Sequence, residues 1–131
     1  MERYTADMVK TLSEIVGASY VAADPATLFA YTRDASHFGG TEAAVVVRPE
    51  TTEEVSRIVA YAHTHRIPVV TRGGGASIYG QPRGIPGNTI LIDMTRMDKV
   101  IEINPTSMTV RAQAGIIMGK LQHVCRQAGF Y

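Results

Sequence analysis

Two short valine-rich runs, AAVVVR at residues 43–48 and PVVT at residues 68–71, bracket a segment with the period of an amphipathic helix, and this triplet constrains the chain most. Brief apolar runs bounded by glycine or proline read as buried strands; here Gly39-Gly40 and Pro49 frame the first. Between the runs, Thr51 lies three residues before Glu54 as in a capping box, and Val55, Ile58, Val59 and Ala62 recur on one face. Strand, helix and strand within about thirty residues form a βαβ crossover, which needs two parallel strands in one sheet.

The other elements group around that unit. Met8, Val9, Leu12, Ile15 and Val16 give residues 5–16 a helical stripe that Gly17 terminates. Asp24-Pro25 reads as a cap and first-turn proline for a short helix through Leu28, Phe29 and Tyr31, and residues 32–41 have loop composition. Residues 89–94 are a third buried strand. Residues 99–103 and 108–112 flank NPTS, where asparagine followed by proline suits a hairpin turn. After Gly115 a last helix carries Ile117, Leu121, Val124, Cys125 and Ala128 on one face, with Gly129 at its end. No internal repeat or low-complexity segment interrupts this order.

Composition narrows the function classes. A chain of 131 residues with 45% hydrophobic and 19% charged residues has the make-up of one globular domain. Its net charge of +1 and its scattered arginines create no field for nucleic acid or an anionic membrane. Cys125 is the sole cysteine, which excludes an internal disulfide and a cysteine-rich zinc site, and it reads as a small core residue. His37, His63, His65 and His123 are isolated or two apart, a spacing that suits surface histidines and no metal site. No apolar run has the length of a membrane span and the first residues lack a signal-peptide core, so a cytoplasmic location is expected.

The chemistry concentrates after the second valine run, in TRGGGASIYG at residues 71–80. A loop leaving the C-terminal end of a parallel strand lies where open sheets take ligands. Consecutive glycines let backbone N–H groups approach an anion closely, and a diphosphate is the natural guest, with the Ser77 hydroxyl as a further donor. Gly75 and Gly80 have the spacing of a P-loop, but Gln81-Pro82 stands where lysine and a hydroxyl residue belong. The dinucleotide fingerprint fails as well: counted from Gly73, its third glycine falls on Ile78, and no helix pattern follows. A tight turn that uses glycine for geometry alone is the competing reading, although one or two glycines suffice for most turns.

The segments VVVRPETTEEVSRIVAYAHTHRIPVVTRGGGASIYG and TILIDMTRMDKVIEINPTSMTVRAQAGI together resemble the FAD-binding domain of the p-cresol methylhydroxylase/vanillyl-alcohol oxidase superfamily. Within it the chain is most similar to the FAD-linked subunit of glycolate oxidase and to D-lactate dehydrogenases. The resemblance implies an α+β fold: the first subdomain of a PCMH-type FAD-binding domain, a small mostly parallel sheet flanked by helices plus a β-hairpin. Residues 1–40 would form an N-terminal helical segment and loop, and residues 41–131 the first half of the FAD domain. Family members continue past the equivalent of QAGFY into a second FAD-binding half and a substrate-capping domain, so the second subdomain is expected to be absent here.

Carried over residue by residue, the resemblance implies that Arg72, Gly73, Gly74, Gly75, Ala76 and Ser77 line the diphosphate cradle and that Ile78 and Gly80 continue it. Pro49 would lie beside the adenosine, and Gly115 near the flavin. Ala76 departs from the family's Thr, Asn or His, which implies FAD held non-covalently at this loop; Tyr79 is bulkier than the family residue. Asp34 matches a commonly acidic position, as a loop-structuring residue or as a ligand contact. The implied activity is oxidation of a 2-hydroxy acid of the glycolate or D-lactate type, with substrate contacts supplied from outside this segment. The partners are then FAD, the hydroxy acid, and a second copy or another chain on an exposed apolar face. Two alternatives stay open: a non-catalytic nucleotide-binding or interaction module, and a flavoprotein like UDP-N-acetylenolpyruvoylglucosamine reductase.

Overall fold

A computed structural model of the chain describes residues 2–38, 43–80 and 87–131; the glycine pair at 39–40 and most of the turn-rich stretch 81–88 lie outside the described residues. Helix α1 (Glu2–Val16) turns Met8, Leu12 and Val16, spaced four apart, into the core. Gly17, at φ 91°, closes it with a hydrogen bond to the Ser13 carbonyl, and a 3-10 turn (Ala18–Tyr20) leads into the two-residue strand β1 (Val21–Ala22). Helix α2 (Pro25–Tyr31) starts as expected, with the Asp24 carboxylate accepting from the Thr27 amide at 2.9 Å and Pro25 in its first turn.

Strands β2 (Val45–Val47), β3 (Val69–Arg72) and β4 (Ile90–Asp93) run parallel, and β1 joins β2 antiparallel to complete a four-stranded sheet of order β1-β2-β4-β3. The crossover through α3 (Thr52–His65) does link two parallel strands, but they are not neighbours: β4 inserts between them. Burial explains the order, since β4 is buried at every residue while β3 is half-exposed and takes the edge. Alternation then splits the core. Val45, Val47, Ile90 and Ile92 pack with α1 and with Ile58 and Ala62 of α3 on one face, whereas Val46, Leu91 and Ala43 meet Leu28 and Tyr31 of α2 on the other. Each fully buried Val, Leu or Ile contributes about 1.5–3 kcal/mol of transfer free energy, so these strands anchor the structure.

Helix α3 keeps the expected cap, with Thr51 Oγ1 accepting from the Glu54 amide at 3.1 Å. The Glu54 carboxylate reaches one residue further back than a capping box requires, to the Glu50 amide at 2.6 Å. Val59 is exposed; the inner stripe runs through Ile58 and Ala62 with Tyr61 beside them, leaving Val59 on the flank. The helix ends with Arg66 in the left-handed region (φ 54°, ψ 42°) while buried Ile67 donates back to Ala62.

Strands β5 (Val100–Asn104) and β6 (Thr109–Ala112) form the expected hairpin as a separate two-stranded sheet. Asn104 shapes its turn by accepting from the Thr106 and Ser107 amides at 3.0 Å. Helix α4 (Met118–Gln127) ends in a Schellman closure, Gly129 donating to Arg126 and Phe130 to Cys125. Its apolar face is only half-covered: Leu121, Val124 and Cys125 are partly buried, and Ile117 and Ala128 are exposed. Cys125 is therefore no core residue. The hairpin is too narrow to bury a helix face, and Cys125 lies with Phe130 along a shallow apolar cleft against Ile103 and Val110.

Candidate functional site

The three parallel strands end level with one another, because Val47 pairs with Ile92 and Arg72 with Asp93. Arg48, Asp93 and Arg72 consequently emerge side by side on the C-terminal edge of the sheet, where such sheets hold ligands. Asp93 is buried and organises this edge, with its carboxylate 3.3 Å from Arg48 Nε and accepting from the Thr95 amide at 2.9 Å. Burial pushes the Tyr31 phenol above its usual range and the Asp93 carboxylate pushes it further, against a smaller opposing pull from Arg48 and Arg72.

The glycine loop leaves β3 directly after Arg72 and encloses a cavity of about 190 Å³ with Asp34, Thr71, Arg72, Gly73, Gly74, Gly75, Ala76 and Ser77 around it. Among the described residues, none accepts a hydrogen bond from the amides of residues 73–77. The glycines have distinct reasons to lack a side chain. Gly75 has φ 71°, and a Cβ there would overlap the Arg72 guanidinium. A Cβ on Gly74 would stand 2.9 Å from Ile117 Cδ1. Gly73 has an ordinary φ, and a Cβ there would meet nothing within 4 Å.

Arg72 folds back along its own loop. Its guanidinium carbon stands 5.1 Å from the Tyr31 ring centroid, Nη2 donates to the Arg33 carbonyl at 3.4 Å, and Nε is buried without a hydrogen-bond partner. The turn after α2 braces the loop: Ala35 N–H donates to the Ser77 carbonyl at 2.9 Å, and Asp34 accepts from the buried Gly80 amide at 2.8 Å. Ser77 Oγ accepts from the Tyr79 amide at 3.2 Å, which leaves its hydroxyl proton available.

Thus Arg72, Gly73, Gly74, Gly75, Ala76 and Ser77 come together around one cavity. Ile78 and Tyr79 project outward at 61% and 78% exposure, while Gly80, at φ 72°, is buried behind the loop. Pro49 is fully buried after β2 and does not line the cavity. Gly115 is buried where a Cβ would overlap the Met94 main chain, and Ile117 brings its segment against Gly74. Tyr31, Arg48 and Asp93 were not among the expected site residues. A signal existed: each of the three apolar runs ends in a charged residue, VVVR, VVTR and ILID. Among the described residues no cluster of His, Cys, Asp and Glu could hold a metal, all four histidines are exposed, and no helix is long and apolar enough to cross a membrane.

The family model described as an FAD binding domain matches residues 43–131, about two thirds of the chain, including the three parallel strands and the glycine loop. The chain belongs to this FAD-binding family. The domain is 28% identical over 113 residues to the glycolate oxidase subunit GlcD of Bacillus subtilis, covering 86% of this chain and 24% of the relative. It superposes on alkyldihydroxyacetonephosphate synthase with a TM-score of 0.82 at 26% identity, over 95% of this chain and 25% of that one. On p-cresol methylhydroxylase it superposes with a TM-score of 0.86 over 99% of this chain and 26% of that one; at 19% identity this likeness shows the fold, a PCMH-type FAD-binding subdomain. The FAD-binding domain thus spans about a quarter of the length of the relatives it matches.

Proposed function

We propose that the glycine loop holds the diphosphate of FAD and that the chain serves an FAD-linked oxidoreductase acting on a 2-hydroxy acid. The observation that carries the first part is the set of amides at 73–77, which have no acceptor among the described residues and border a cavity at the C-terminal edge of parallel strands. The residues fit such a group in three further respects. Arg72 offers a guanidinium with an unpartnered Nε, Ser77 has a free hydroxyl proton, and Gly73 presents bare backbone. Ala76 has no nucleophilic atom, so attachment at this loop is non-covalent. Ile78 and Gly80 continue the loop; Pro49 and Gly115 keep the adenosine and flavin neighbourhoods that the family resemblance implies.

Bound FAD supplies an isoalloxazine able to accept hydride. The chain's own residues bind and orient its phosphate side, and none is assigned to the substrate. The hydroxy-acid reading rests on the likeness to the glycolate oxidase subunit. The exposed apolar residues Ile101, Met108, Ile117 and Met118 of the hairpin and α4 are read as the face that meets a second copy or another chain, tested by sedimentation.

The deciding experiment titrates the purified chain with FAD and with riboflavin, which lacks phosphate, following flavin fluorescence. FAD binds and is displaced by ADP, whereas riboflavin does not bind; equal binding of the two removes the diphosphate reading. The substrate contacts are expected from outside this segment and the isolated chain is expected to be inactive, so the substrate class is tested on the complete oxidoreductase that the chain serves. Loss of its visible flavin band on anaerobic addition of glycolate or D-lactate supports the class, and its persistence refutes it.

A further inference from the structure

Asp34 is out of place in the wall of an anion cavity, because a carboxylate beside a diphosphate opposes its binding. Its bonds supply a different reason for its presence. Oδ2 accepts from the Gly80 amide at 2.8 Å, while Oδ1 accepts from the Ser36 amide at 3.0 Å and from the Ser36 hydroxyl at 2.5 Å. Its neighbour Ala35 ties the middle of the same loop through the Ser77 carbonyl, and the Arg33 carbonyl receives Arg72. Three successive residues therefore hold the start, middle and far end of the glycine loop, and Asp34 holds the end where Gly80 turns at φ 72°. A buried amide without an acceptor is costly, so Gly80 stays in place only while Asp34 accepts from it.

We propose that Asp34 is a positioning residue that fixes the cradle for the cofactor through Gly80 and makes no contact with the cofactor itself. The role rests on reading the loop as a diphosphate cradle. It separates two substitutions that a ligand-contact role would not. Asp34→Ala frees the loop, so that the binding-competent arrangement is populated only fractionally and apparent affinity falls by that fraction. Asp34→Asn keeps one carbonyl oxygen for the Gly80 amide, lets the Ser36 hydroxyl accept from the new NH2 group, leaves the Ser36 amide without this acceptor, and removes the charge.

The test combines amide hydrogen exchange without ligand and FAD titration of the wild-type chain and both variants. In the exchange experiment Gly80 is protected in the wild type and in Asp34→Asn, and exchanges about tenfold faster or more in Asp34→Ala, as expected from losing a hydrogen bond to a charged group. FAD affinity falls by about tenfold in Asp34→Ala, by the same reasoning, and most of that loss is recovered in Asp34→Asn, which keeps the Gly80 bond. Unchanged Gly80 exchange in Asp34→Ala overturns the clamp. An Asn variant as weak for FAD as the Ala variant while its Gly80 amide stays protected shows that Asp34 acts on binding other than through Gly80 and overturns the positioning role alone. A wild-type chain that takes up no FAD removes the cradle reading together with this role.

Discussion

Placing an alanine at Gly73, Gly75 and Gly115 in turn separates glycine kept for folding from glycine kept for a ligand. At Gly115 the added methyl would overlap the Met94 carbonyl and come within 2.9 Å of the Thr95 amide nitrogen, and both are main-chain atoms pinned by the Met97 turn. Neither can retreat cheaply, so Gly115→Ala is expected at or above the upper end of overpacking costs, about 3 kcal/mol. At Gly75 the obstacle is the end of a flexible arginine, which can swing aside, and most of the cost comes from holding alanine at a left-handed φ of 71°, about 1–2 kcal/mol. At Gly73 nothing lies within 4 Å and φ is ordinary. Gly73→Ala is therefore neutral in stability or stabilising by about 0.4–1 kcal/mol, through the unfolded chain. The same methyl enters the space assigned to the diphosphate, and an overpacking cost of about 1–3 kcal/mol corresponds to roughly fivefold to over a hundredfold in FAD affinity. Urea unfolding without ligand and FAD titration of each variant measure the two quantities. If Gly73→Ala unfolds as readily as Gly115→Ala and binds FAD like the wild type, the loop is a structural turn and the cradle argument is refuted.

Arg66→Gly relieves a left-handed non-glycine residue at the end of α3 and is expected to stabilise the chain by about 1 kcal/mol, read as a rise in the urea midpoint. Asp93→Ala leaves Arg48 and Tyr31 facing an uncompensated cavity and costs about 1–3 kcal/mol, checked by the same unfolding curves. Hydrogen bonds from Thr27 hold the Asp24 carboxyl below its ordinary 3.8, so its contribution is complete above that value and fades as pH falls through the lower folded-state pKa. Stability measured between pH 5 and 2 should therefore decline less steeply in Asp24→Asn than in the wild type. Tyr31, raised above 10.0, should ionise late in an ultraviolet titration, and the Tyr31→Phe difference spectrum identifies it; a normal midpoint contradicts the buried contact with Asp93.

Element positions are legible from local signals, because capping, proline and glycine act within a few residues. Thr51 and Asp24 cap the helices that their spacing predicts, and Asn104 shapes the hairpin turn. What depends on distant partners is less legible. Nothing in the spacing of the valine runs tells that residues 90–93 separate them, since pairing is settled by which strand buries both faces. Cys125 and Val59 depart from their expected burial for a related reason: periodicity reports a face, whereas burial needs something wide enough to cover it. In the site, the glycine loop is plain as a run of residues. Its brace from residues 33–35 and the buried Asp93 beneath it are hidden, because contacts across more than forty positions, such as Asp34 with Gly80, leave no mark in local composition.

The late arrival of the middle strand has a consequence for biosynthesis. When Arg72 leaves the ribosome, both flanking parallel strips have been made but cannot pair with each other, and twenty-one more residues must follow before Asp93 completes the strip that joins them. At about 5–20 residues per second this interval lasts on the order of one to four seconds, far longer than hydrophobic collapse requires. During it two sticky valine segments wait without their partner, so a nascent chain halted there is the species most exposed to chaperone capture or misassembly.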